Sequence, residues 1–437
     1  PKADSGFDLA IAVSILAASD QVTRPISNEQ VFIGELGLDG SVRAVRGIIG
    51  KVLSGRARGI RTFFIPSGNL RQAQLIPKVN LVPVDSLGQL YGYLCVGLPL
   101  QSVKTGSGLY DLASLVQTRS GVQLSEVVGQ RQAKRALEIA AAGGHNVFFS
   151  GPPGTGKSML AKALPSILPP LNREETLEVT HLHSLASHDY EQIIFERPFR
   201  SPHHSASHVA IVGGGSRLRP GEISLAHRGI LFLDELPEFP RETLEALRQP
   251  LEDRVINVAR AKESAEYPAN FVLIATANPC PCGFFGSEKA CSCSTRERQN
   301  YRNRLSGPIL DRIDLHSNVS EVDHEKLLTQ EADSVSDQAV RDRIQRARQI
   351  QNKRFASPSL LNADLSNDAI KKYVRFESGA ANILNIAARQ IKMSARAYMR
   401  TIKVAQTIAD LEASTHINQL HLGEALSYRT IQTKAKS

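Results

Sequence analysis

The chain has 437 residues, of which 42% are hydrophobic and 22% charged, a composition typical of a globular protein. At this length the chain is too long for a single hydrophobic core. It has no apolar stretch long enough to span a bilayer and no signal-peptide layout, which argues against membrane and secreted proteins and predicts a cytoplasmic location. The net charge of +9 favours a polyanionic partner such as nucleic acid without establishing one.

Residues 1–97 alternate short apolar runs with turn residues and include a helical stretch from Leu9 to Ala18. This pattern predicts an α+β domain. The chain begins at Pro1 rather than at Met, and we expect this domain to be incomplete at its N-terminus. Residues 98–122 are richer in Ser, Gly and Thr and lack strong periodicity, which is typical of a linker.

The most specific pattern lies in the next predicted unit, an α/β core over residues 123–325. The phosphate-binding loop pattern G-x-x-x-x-G-K-[ST] is matched by Gly151-Pro152-Pro153-Gly154-Thr155-Gly156-Lys157-Ser158, between a strand-like apolar run and a helical run that begins at Met159. Its glycines allow tight turns that point backbone N–H groups at phosphate oxygens. Lys157 adds a charge near the β and γ phosphates, and Ser158 is placed to ligate Mg²⁺. The loop therefore predicts a binding site for ATP and Mg²⁺.

Two further strand-like runs end in polar residues that suit nucleotide hydrolysis. The apolar run 231–233 ends in Asp234 and Glu235, as in a Walker B element, where the aspartate holds Mg²⁺ and the glutamate polarises the attacking water. The run 271–277 ends in Asn278, whose amide is suited to orient that water at the γ phosphate. Residues 326–437 have helical periodicity almost throughout and predict a helical lid.

Two segments between these motifs carry charge or histidines. Residues 254–263 alternate as in a β-hairpin with Arg260 and Lys262 near its tip, where positive side chains can grip successive phosphates of one DNA strand. From the residues alone, a solvated hairpin end is an equally good interpretation. His203 and His204 are adjacent on a segment that we expect to be extended, so their side chains should point to opposite sides and not share one metal ion.

Four of the five cysteines are clustered. Cys280 and Cys282 form one C-x-C pair, and Cys291 and Cys293 form a second one after a spacer of eight residues. In a cytosolic protein such a cluster is more often a metal site than a disulfide framework, and four thiolates suffice for a closed tetrahedral zinc site. Four reduced loop thiols are the alternative. A closed site leaves no open position for catalysis, so we expect structural zinc.

The motifs G-P-P-G-T-G-K-S, L-F-L-D-E, T-A-N-P and L-D-R-I-D together resemble those of AAA+ ATPases of the helix-2-insert group. The segments 197–204, 219–227 and 278–283 further resemble the magnesium-chelatase-like ComM family of bacterial proteins, and this resemblance covers essentially the whole chain. It implies a homo-hexameric ring in which Val128-Gly129-Gln130 borders the adenine.

The same resemblance assigns roles to basic residues near the end of the core and in the lid. Arg312 matches the arginine finger, a cation supplied to the γ phosphate of the neighbouring subunit. A local ion pair with Asp311 or Asp314 is the alternative. Arg396 matches the sensor-2 arginine, and Arg400, one helical turn later on the same face, is the competing choice.

The first hundred residues resemble the Lon-type protease fold, whose catalytic Ser and Lys lie in P-K-x-G-P-S-A-G and G-G-L-K-x-K segments. Alignment with these segments places Gly6 at the position of the nucleophile and Ile49 at the position of the base, with Ser5 one residue off. Since Ser–Lys catalysis needs an aligned hydroxyl and amine, we expect an inactive structural or docking domain. A slip of one residue would restore Ser5 as a candidate.

The ComM resemblance implies an ATP-dependent hexameric DNA helicase or translocase that acts on single-stranded or branched DNA and promotes branch migration during natural transformation and recombination. It also favours DNA contact by the hairpin. A magnesium-chelatase-type ATPase motor fits the core equally well but leaves the Lon-like domain and the cysteine cluster unexplained. An ATP-dependent Lon-like protease is the third hypothesis, and Gly6 and Ile49 argue against it.

Overall fold

The computed structural model describes residues 5–105, 121–187, 192–215, 218–260, 263–304, 307–322 and 336–429. The chain divides into two compact units, one formed from residues 1–117 and 170–196 and the other from 118–169 and 197–437. Residues 170–196 fall within the predicted core, 123–325, in the sequence, but in the structure they belong to the first unit. They join the first unit because Leu177 and Ile193 pack against its hydrophobic core.

The first unit contains a four-stranded sheet in the order β1-β4-β5-β6 and a separate antiparallel pair, β2-β3. In the larger sheet, β4 pairs in parallel with β1 and β5, and β6 pairs antiparallel with β5. Its elements are α1 (Asp8–Ala18), β1 (Gln30–Phe32), β2 (Glu35–Leu36), β3 (Val42–Arg43), α2 (Ile48–Ala57), β4 (Thr62–Pro66), α3 (Leu70–Ala73), β5 (Asn80–Val84), α4 (Leu87–Tyr91), β6 (Val103–Lys104) and α7 (Arg173–Ala186).

Two features of this unit bear on the sequence predictions. Strand β4 is buried on both faces, with Phe63 and Ile65 in one hydrophobic cluster and Phe64 in another, and this explains its continuous apolar run. Strand β6 lies in the segment predicted as a linker and adds a strand to the sheet through two residues paired with β5. The predicted helical stretch from Leu9 to Ala18 is confirmed as α1.

The second unit is built on a five-stranded sheet in the order β15-β7-β14-β11-β8, in which all pairs are parallel. Its α/β elements up to the end of the sheet are α5 (Arg131–Gly143), β7 (Val147–Ser150), α6 (Lys157–Ile167), β8 (Phe199–Arg200), α8 (His208–Val212), β9 (Gly213–Gly214), β10 (Arg219–Pro220), α9 (Glu222–Leu225), β11 (Ile230–Leu233), α10 (Arg241–Ala246), α11 (Arg248–Asp253), β12 (Val255–Arg260), β13 (Glu263–Pro268), β14 (Val272–Ala277), α12 (Thr295–Arg304), α13 (Gly307–Leu310) and β15 (Leu315–Asn318). The predicted α/β fold with a parallel-sheet core is confirmed.

Alternate residues of the central strands enter different hydrophobic clusters. In β11, Ile230 and Phe232 pack on one side of the sheet with α5, α6 and the C-terminal helices, whereas Leu231 and Leu233 pack on the other side. Because both faces are covered, these strands are apolar up to their last two residues. The first polar side chains therefore appear at the carboxyl edge of the sheet, where parallel strands place binding residues.

The C-terminal part is helical, as predicted. Its helices are α14 (Asp337–Phe355), α15 (Asn367–Tyr373), α16 (Ala380–Gln390), α17 (Ala395–Leu411) and α18 (Gln419–Ser427). None of the helices in the described ranges is long and apolar enough to cross a membrane.

The predicted hairpin is confirmed. Strands β12 and β13 pair antiparallel from Val255 opposite Pro268 to Arg260 opposite Glu263, and the buried side chains on β12 alternate as expected.

The expectation for the adjacent histidines is wrong. The chain turns at His204, and the ring centroids of His203 and His204 lie 4.0 Å apart, so the two rings share a side. Nevertheless, the pair belongs to no group of three or more possible metal ligands in the described part of the chain.

Candidate functional site

The phosphate-binding loop joins the end of β7 to the start of α6, in the strand–loop–helix context that its sequence predicts. Gly154 and Gly156 have φ angles of +81° and +89°, a region that glycine adopts without steric cost. Gly151 is required for another reason. A Cβ atom there would lie 2.0 Å from the backbone oxygen of Val319, which follows the neighbouring strand β15.

Lys157 is held at the mouth of this loop by three acceptors. Its Nζ donates to the backbone oxygens of Gly151 and Pro152, both at 2.7 Å, and to Oδ1 of Asn278 at 3.2 Å. Burial lowers the pKa of Lys157, and the charges of Asp234 and Glu235 oppose this effect. The structure thus brings Lys157 together with the Walker B carboxylates and with the end of β14.

The residues predicted to hold Mg²⁺ are in contact. The Ser158 hydroxyl donates to one carboxylate oxygen of Asp234 at 3.0 Å, and Thr276 donates to the other oxygen at 2.5 Å. The Thr276 hydroxyl also accepts the backbone N–H of Glu235 at 3.0 Å. A hydroxyl and a carboxylate are the hard oxygen ligands that Mg²⁺ prefers, so the donor set fits this ion.

Sequence reasoning missed the role of Thr276. This residue is fully buried in β14, and its hydroxyl fixes both Walker B residues at once. The signal was available as a hydroxyl residue two positions before Asn278 in an otherwise apolar strand. Its meaning depends on β14 lying directly beside β11, which the sequence did not reveal.

Asn278 connects the phosphate loop to the predicted general base. Its Oδ1 accepts from Lys157, and its Nδ2 donates to Oε1 of Glu235 over a long 3.5 Å contact. Glu235 has a φ of +53°, which is rare for a residue with a side chain and is typical of functional sites. Nearby, burial raises the pKa of Tyr301 in α12 to about 12.

The segment expected to border the adenine lies beside the phosphate loop. Gln130, with a φ of +53°, donates through Nε2 to the backbone oxygen of Ser320 at 2.6 Å and to that of Thr155 at 3.4 Å. Gly129 lies against Val322, after the end of β15. Gly129 and Gln130 therefore lie beside the phosphate-binding loop on the side of β15, and the role of residues 128–130 at the adenine stays a prediction.

Arg312 and Arg396 meet at one carboxylate that sequence reasoning did not single out, Glu252 at the end of α11. Nη2 of Arg312 lies 2.9 Å from one oxygen of Glu252, and Nη2 of Arg396 lies 2.6 Å from the other. Arg312 is only 7% exposed, whereas the Arg396 side chain is 47% exposed. The structure therefore pairs Arg312 with Glu252.

Arg400 has a different environment. Its Nη1 donates to Asp314 and to the backbone oxygen of Arg312, both at 2.7 Å. Asp314 is fully buried, and although burial raises its pKa, the charges of Arg400, His145 and Arg429 hold that pKa well below the ordinary value. Arg400 thus neutralises a buried carboxylate, which leaves Arg396 the more accessible of the two sensor-2 candidates.

The four clustered cysteines come together as a possible metal site. All four Sγ atoms lie within 4.8 Å of one another, with Cys280–Cys282, Cys280–Cys291 and Cys282–Cys291 separations of 3.4, 3.7 and 3.6 Å. Tetrahedral zinc with Zn–S bonds of about 2.3 Å separates its sulfurs by about 3.8 Å. The four thiols differ in acidity: a backbone N–H bond from Phe284 lowers the pKa of Cys282 to about 5, whereas desolvation and the neighbouring thiols raise the pKa of Cys291 and Cys293.

The predicted DNA contacts are only partly within the described chain. The backbone of Arg260 pairs with Glu263 at the end of the hairpin. The side chain of Arg260 and the whole of Lys262 lie outside the described residues, so their contact with DNA stays a prediction.

The strand order and the polar residues at its carboxyl edge define a AAA+ fold of the magnesium-chelatase type. A model of "Magnesium chelatase, subunit ChlI" matches residues 123–327, a model of its C-terminal part matches residues 334–429, and a model of "Subunit ChlI of Mg-chelatase" matches residues 1–69. The last match leaves the Lon-type resemblance of the first unit a prediction.

Several relatives resemble the chain over nearly its full length. The "Uncharacterized protein YifB" of Salmonella typhimurium is 42% identical over 99% of this chain and 83% of its own length, and the "Competence protein ComM" of Haemophilus influenzae is 39% identical over 99% and 84%. The "Magnesium-chelatase 38 kDa subunit" of Rhodobacter capsulatus is 29% identical over 39% of this chain and 54% of its own length. The chain belongs to the ComM family of magnesium-chelatase-like AAA+ ATPases.

The contacts of Thr276 predict a specific catalytic defect. Thr276→Val should lower the rate of ATP hydrolysis by about 10- to 100-fold with little change in ATP affinity, since valine keeps the shape but removes both hydrogen bonds to the Walker B residues. Steady-state kinetics and equilibrium nucleotide binding measure the two effects. Thr276→Ser keeps the hydroxyl and is the matched control. Unchanged turnover in the valine variant would contradict the assigned role.

Proposed function

We propose that this chain is the subunit of a ring-shaped, ATP-driven motor that moves along single-stranded or branched DNA and promotes branch migration during natural transformation and recombination. The observation that carries the proposal is the contact of Lys157, Asp234, Glu235 and Asn278 at one edge of the sheet. The similarity to a competence protein supports DNA as the substrate, and the net charge of +9 is consistent with it.

The proposed chemistry follows from the contacts. Backbone N–H groups of the loop and Lys157 bind the phosphates, and Ser158 and Asp234 hold Mg²⁺. Glu235 takes a proton from the attacking water, while Asn278 orients the Glu235 carboxylate through its side-chain amide. Thr276 keeps Asp234 and the Glu235 backbone in place during this step. These side chains account for binding and for activation of the water.

The charge that develops on the γ phosphate requires a further cation. We assign this role to Arg312 of an adjacent subunit, with Arg396 beside it, because both guanidinium groups converge on Glu252. Two arginines held by one carboxylate form a compact positive group that suits the oxygens of a phosphate. A homo-hexameric ring supplies such a group to every site.

We also propose that the four cysteines hold a structural zinc ion. The sulfur separations match tetrahedral zinc, and two backbone N–H groups donate to the sulfurs, Cys282 to Cys293 and Phe285 to Cys280, both at 3.3 Å. Such bonds stabilise the negative charge of thiolate ligands. When bound, zinc would hold this loop in place, since residues 279–293 contain no strand or helix.

Neither of the two alternatives is favoured by a specific contact. A magnesium-chelatase motor shares the ATPase core, and its distinguishing partners would be other chelatase subunits rather than DNA. For a Lon-like protease, Ile49 stands at the position of the base and is fully buried in the apolar core of the first unit. No amine can act from that side chain.

The motor proposal predicts that the wild-type protein hydrolyses ATP and unwinds a forked DNA substrate. Glu235→Gln should bind ATP and DNA but lose unwinding, because the amide cannot accept the proton of the attacking water. A strand-displacement assay with a labelled fork measures the activity. If the wild-type protein hydrolyses ATP normally but neither binds nor unwinds any DNA, the proposal fails and the chelatase-type motor becomes the better reading.

The shared active site predicts complementation between two inactive variants. Arg312→Ala should bind ATP without hydrolysing it, as should Glu235→Gln. Mixing the two proteins should restore part of the ATPase activity, since some interfaces then combine an intact Glu235 with an intact Arg312. Each variant alone is the control, with assembly checked by gel filtration. Mixtures that form rings but stay inactive would place Arg312 outside the neighbouring site.

The zinc proposal predicts about one zinc ion per chain in protein purified without chelators. Cys293→Ser should lose the metal, because three thiolates and a hydroxyl bind zinc far more weakly than four thiolates. Cys95→Ser is the matched control and should keep the zinc, since Cys95 belongs to the first unit and to no group of possible metal ligands among the described residues. Metal analysis by mass spectrometry decides the question. Absence of zinc from the wild-type protein would refute the site.

A further inference from the structure

We propose that the four-cysteine site positions the nucleotide-binding residues, so that its metal and ATP bind cooperatively. The inference rests on the proposed zinc and nucleotide sites, but it requires neither DNA nor a ring. It concerns the cysteine loop, defined as residues 279–293, which follows Asn278 directly. Two separate connections join this loop to the nucleotide site.

The first contact joins the cysteine loop to the phosphate-binding loop. Gly283 is buried, and a Cβ atom on it would lie 2.7 Å from Cδ and 3.1 Å from Cγ of Pro153. The backbone of the cysteine loop therefore rests directly on the ring of Pro153. Gly283 comes next to Cys282, and its N–H donates to the backbone oxygen of Cys280 at 3.0 Å, so two of the four cysteines determine where it lies.

The second connection runs through the backbone of Asn278, which directly precedes the cysteine loop. Cys280 is fully buried and lies two residues after Asn278 in the chain. At the other end of the loop, Cys293 lies two residues before the start of α12. Closing the loop through its four sulfurs thus fixes the backbone next to Asn278. The position of the Asn278 side-chain amide, which bonds to Lys157 and Glu235, depends on this backbone.

The cysteine loop has no strand or helix among its described residues, so regular backbone pairing does not hold it. A metal bound by four thiolates would hold the loop in one conformation, because it closes the loop through strong bonds. It would thereby remove conformational freedom of the loop that nucleotide binding would otherwise have to remove. Coupling of this kind is reciprocal. If metal strengthens nucleotide binding by some factor, nucleotide must strengthen metal binding by the same factor.

Two glycines of the cysteine loop provide a matched test that does not require metal removal. Gly283 and Gly286 have similar φ angles, +88° and +81°, so alanine strains the backbone similarly at both positions. A Cβ at Gly283 meets Pro153, whereas a Cβ at Gly286 meets nothing within 4 Å. Only Gly283→Ala therefore disturbs the contact with the phosphate-binding loop.

The experiment measures Mg·ADP affinity and zinc content for the full-length chain and both variants. Gly283→Ala should keep about one zinc per chain and bind Mg·ADP roughly 5- to 150-fold more weakly than the wild type, while Gly286→Ala binds it as the wild type does. If both variants bind Mg·ADP as the wild type does, the proposal is overturned. If both variants bind it more weakly by the same factor, strain in the loop rather than the Pro153 contact is responsible, and the proposal also fails.

A second measurement tests reciprocity in the wild-type protein. Its zinc affinity, determined by competition with a chromogenic chelator, should rise in saturating Mg·ADP by the factor by which zinc raises the affinity for Mg·ADP. A zinc affinity that does not respond to Mg·ADP would overturn the proposal. Protein that binds no zinc would refute the metal site and the coupling together while leaving the ATPase intact. If zinc and Mg·ADP binding are coupled but the protein neither binds nor unwinds DNA, only the proposed DNA motor is refuted.

Discussion

The arrangement of the predicted catalytic residues depends on one constraint, the position of β14 between β7 and β11 in a parallel sheet. Backbone pairing sets Ala277 opposite Ser150 and Ala275 opposite Leu233, so the phosphate-binding loop and the Walker B residues leave the sheet on either side of the same strand. The end of β14 therefore lies between the two motifs, where its side chains reach both. Thr276 reaches Asp234, and Asn278 reaches Lys157 and Glu235. Without this strand order the motifs would be present but not in contact.

The position of Asn278 also affects the cysteine loop, which follows it directly in the chain. One stretch of backbone runs from the buried strand through the catalytic amide to the first thiol, and Gly283 returns the chain to Pro153. Rigid support behind a catalytic side chain improves its orientation without adding a contact to the substrate. In this view the proposed metal site and the nucleotide site are parts of one local structure.

The basic residues show how similar side chains take different roles according to their environment. Arg400 compensates a fully buried carboxylate, Asp314, and removing it would leave an uncompensated charge in the interior. Arg312 and Arg396 instead share Glu252, whose side chain is itself 35% exposed. The Arg396 side chain is 47% exposed, so it can exchange this ion pair for another anion at little cost. Arg312 is only 7% exposed, so its proposed transfer to a phosphate of a neighbouring subunit must be offset by the charge-assisted hydrogen bonds that it gains there.

The sequence alone determined the features that depend on residues close together in the chain. The phosphate loop, the strand ends at Asp234 and Asn278, the presence of a hairpin over residues 254–263 and α1 follow from local periodicity, glycine placement and side-chain chemistry, all of which act over a few residues. Only the tertiary structure decided which distant residues meet. The partner of Arg312 is Glu252, residues 170–196 join the first unit, β6 extends its sheet, and Gly283 touches Pro153. Such pairings depend on strand order and on which hydrophobic surfaces cover each other, and these are properties of the whole packed chain that no local pattern encodes.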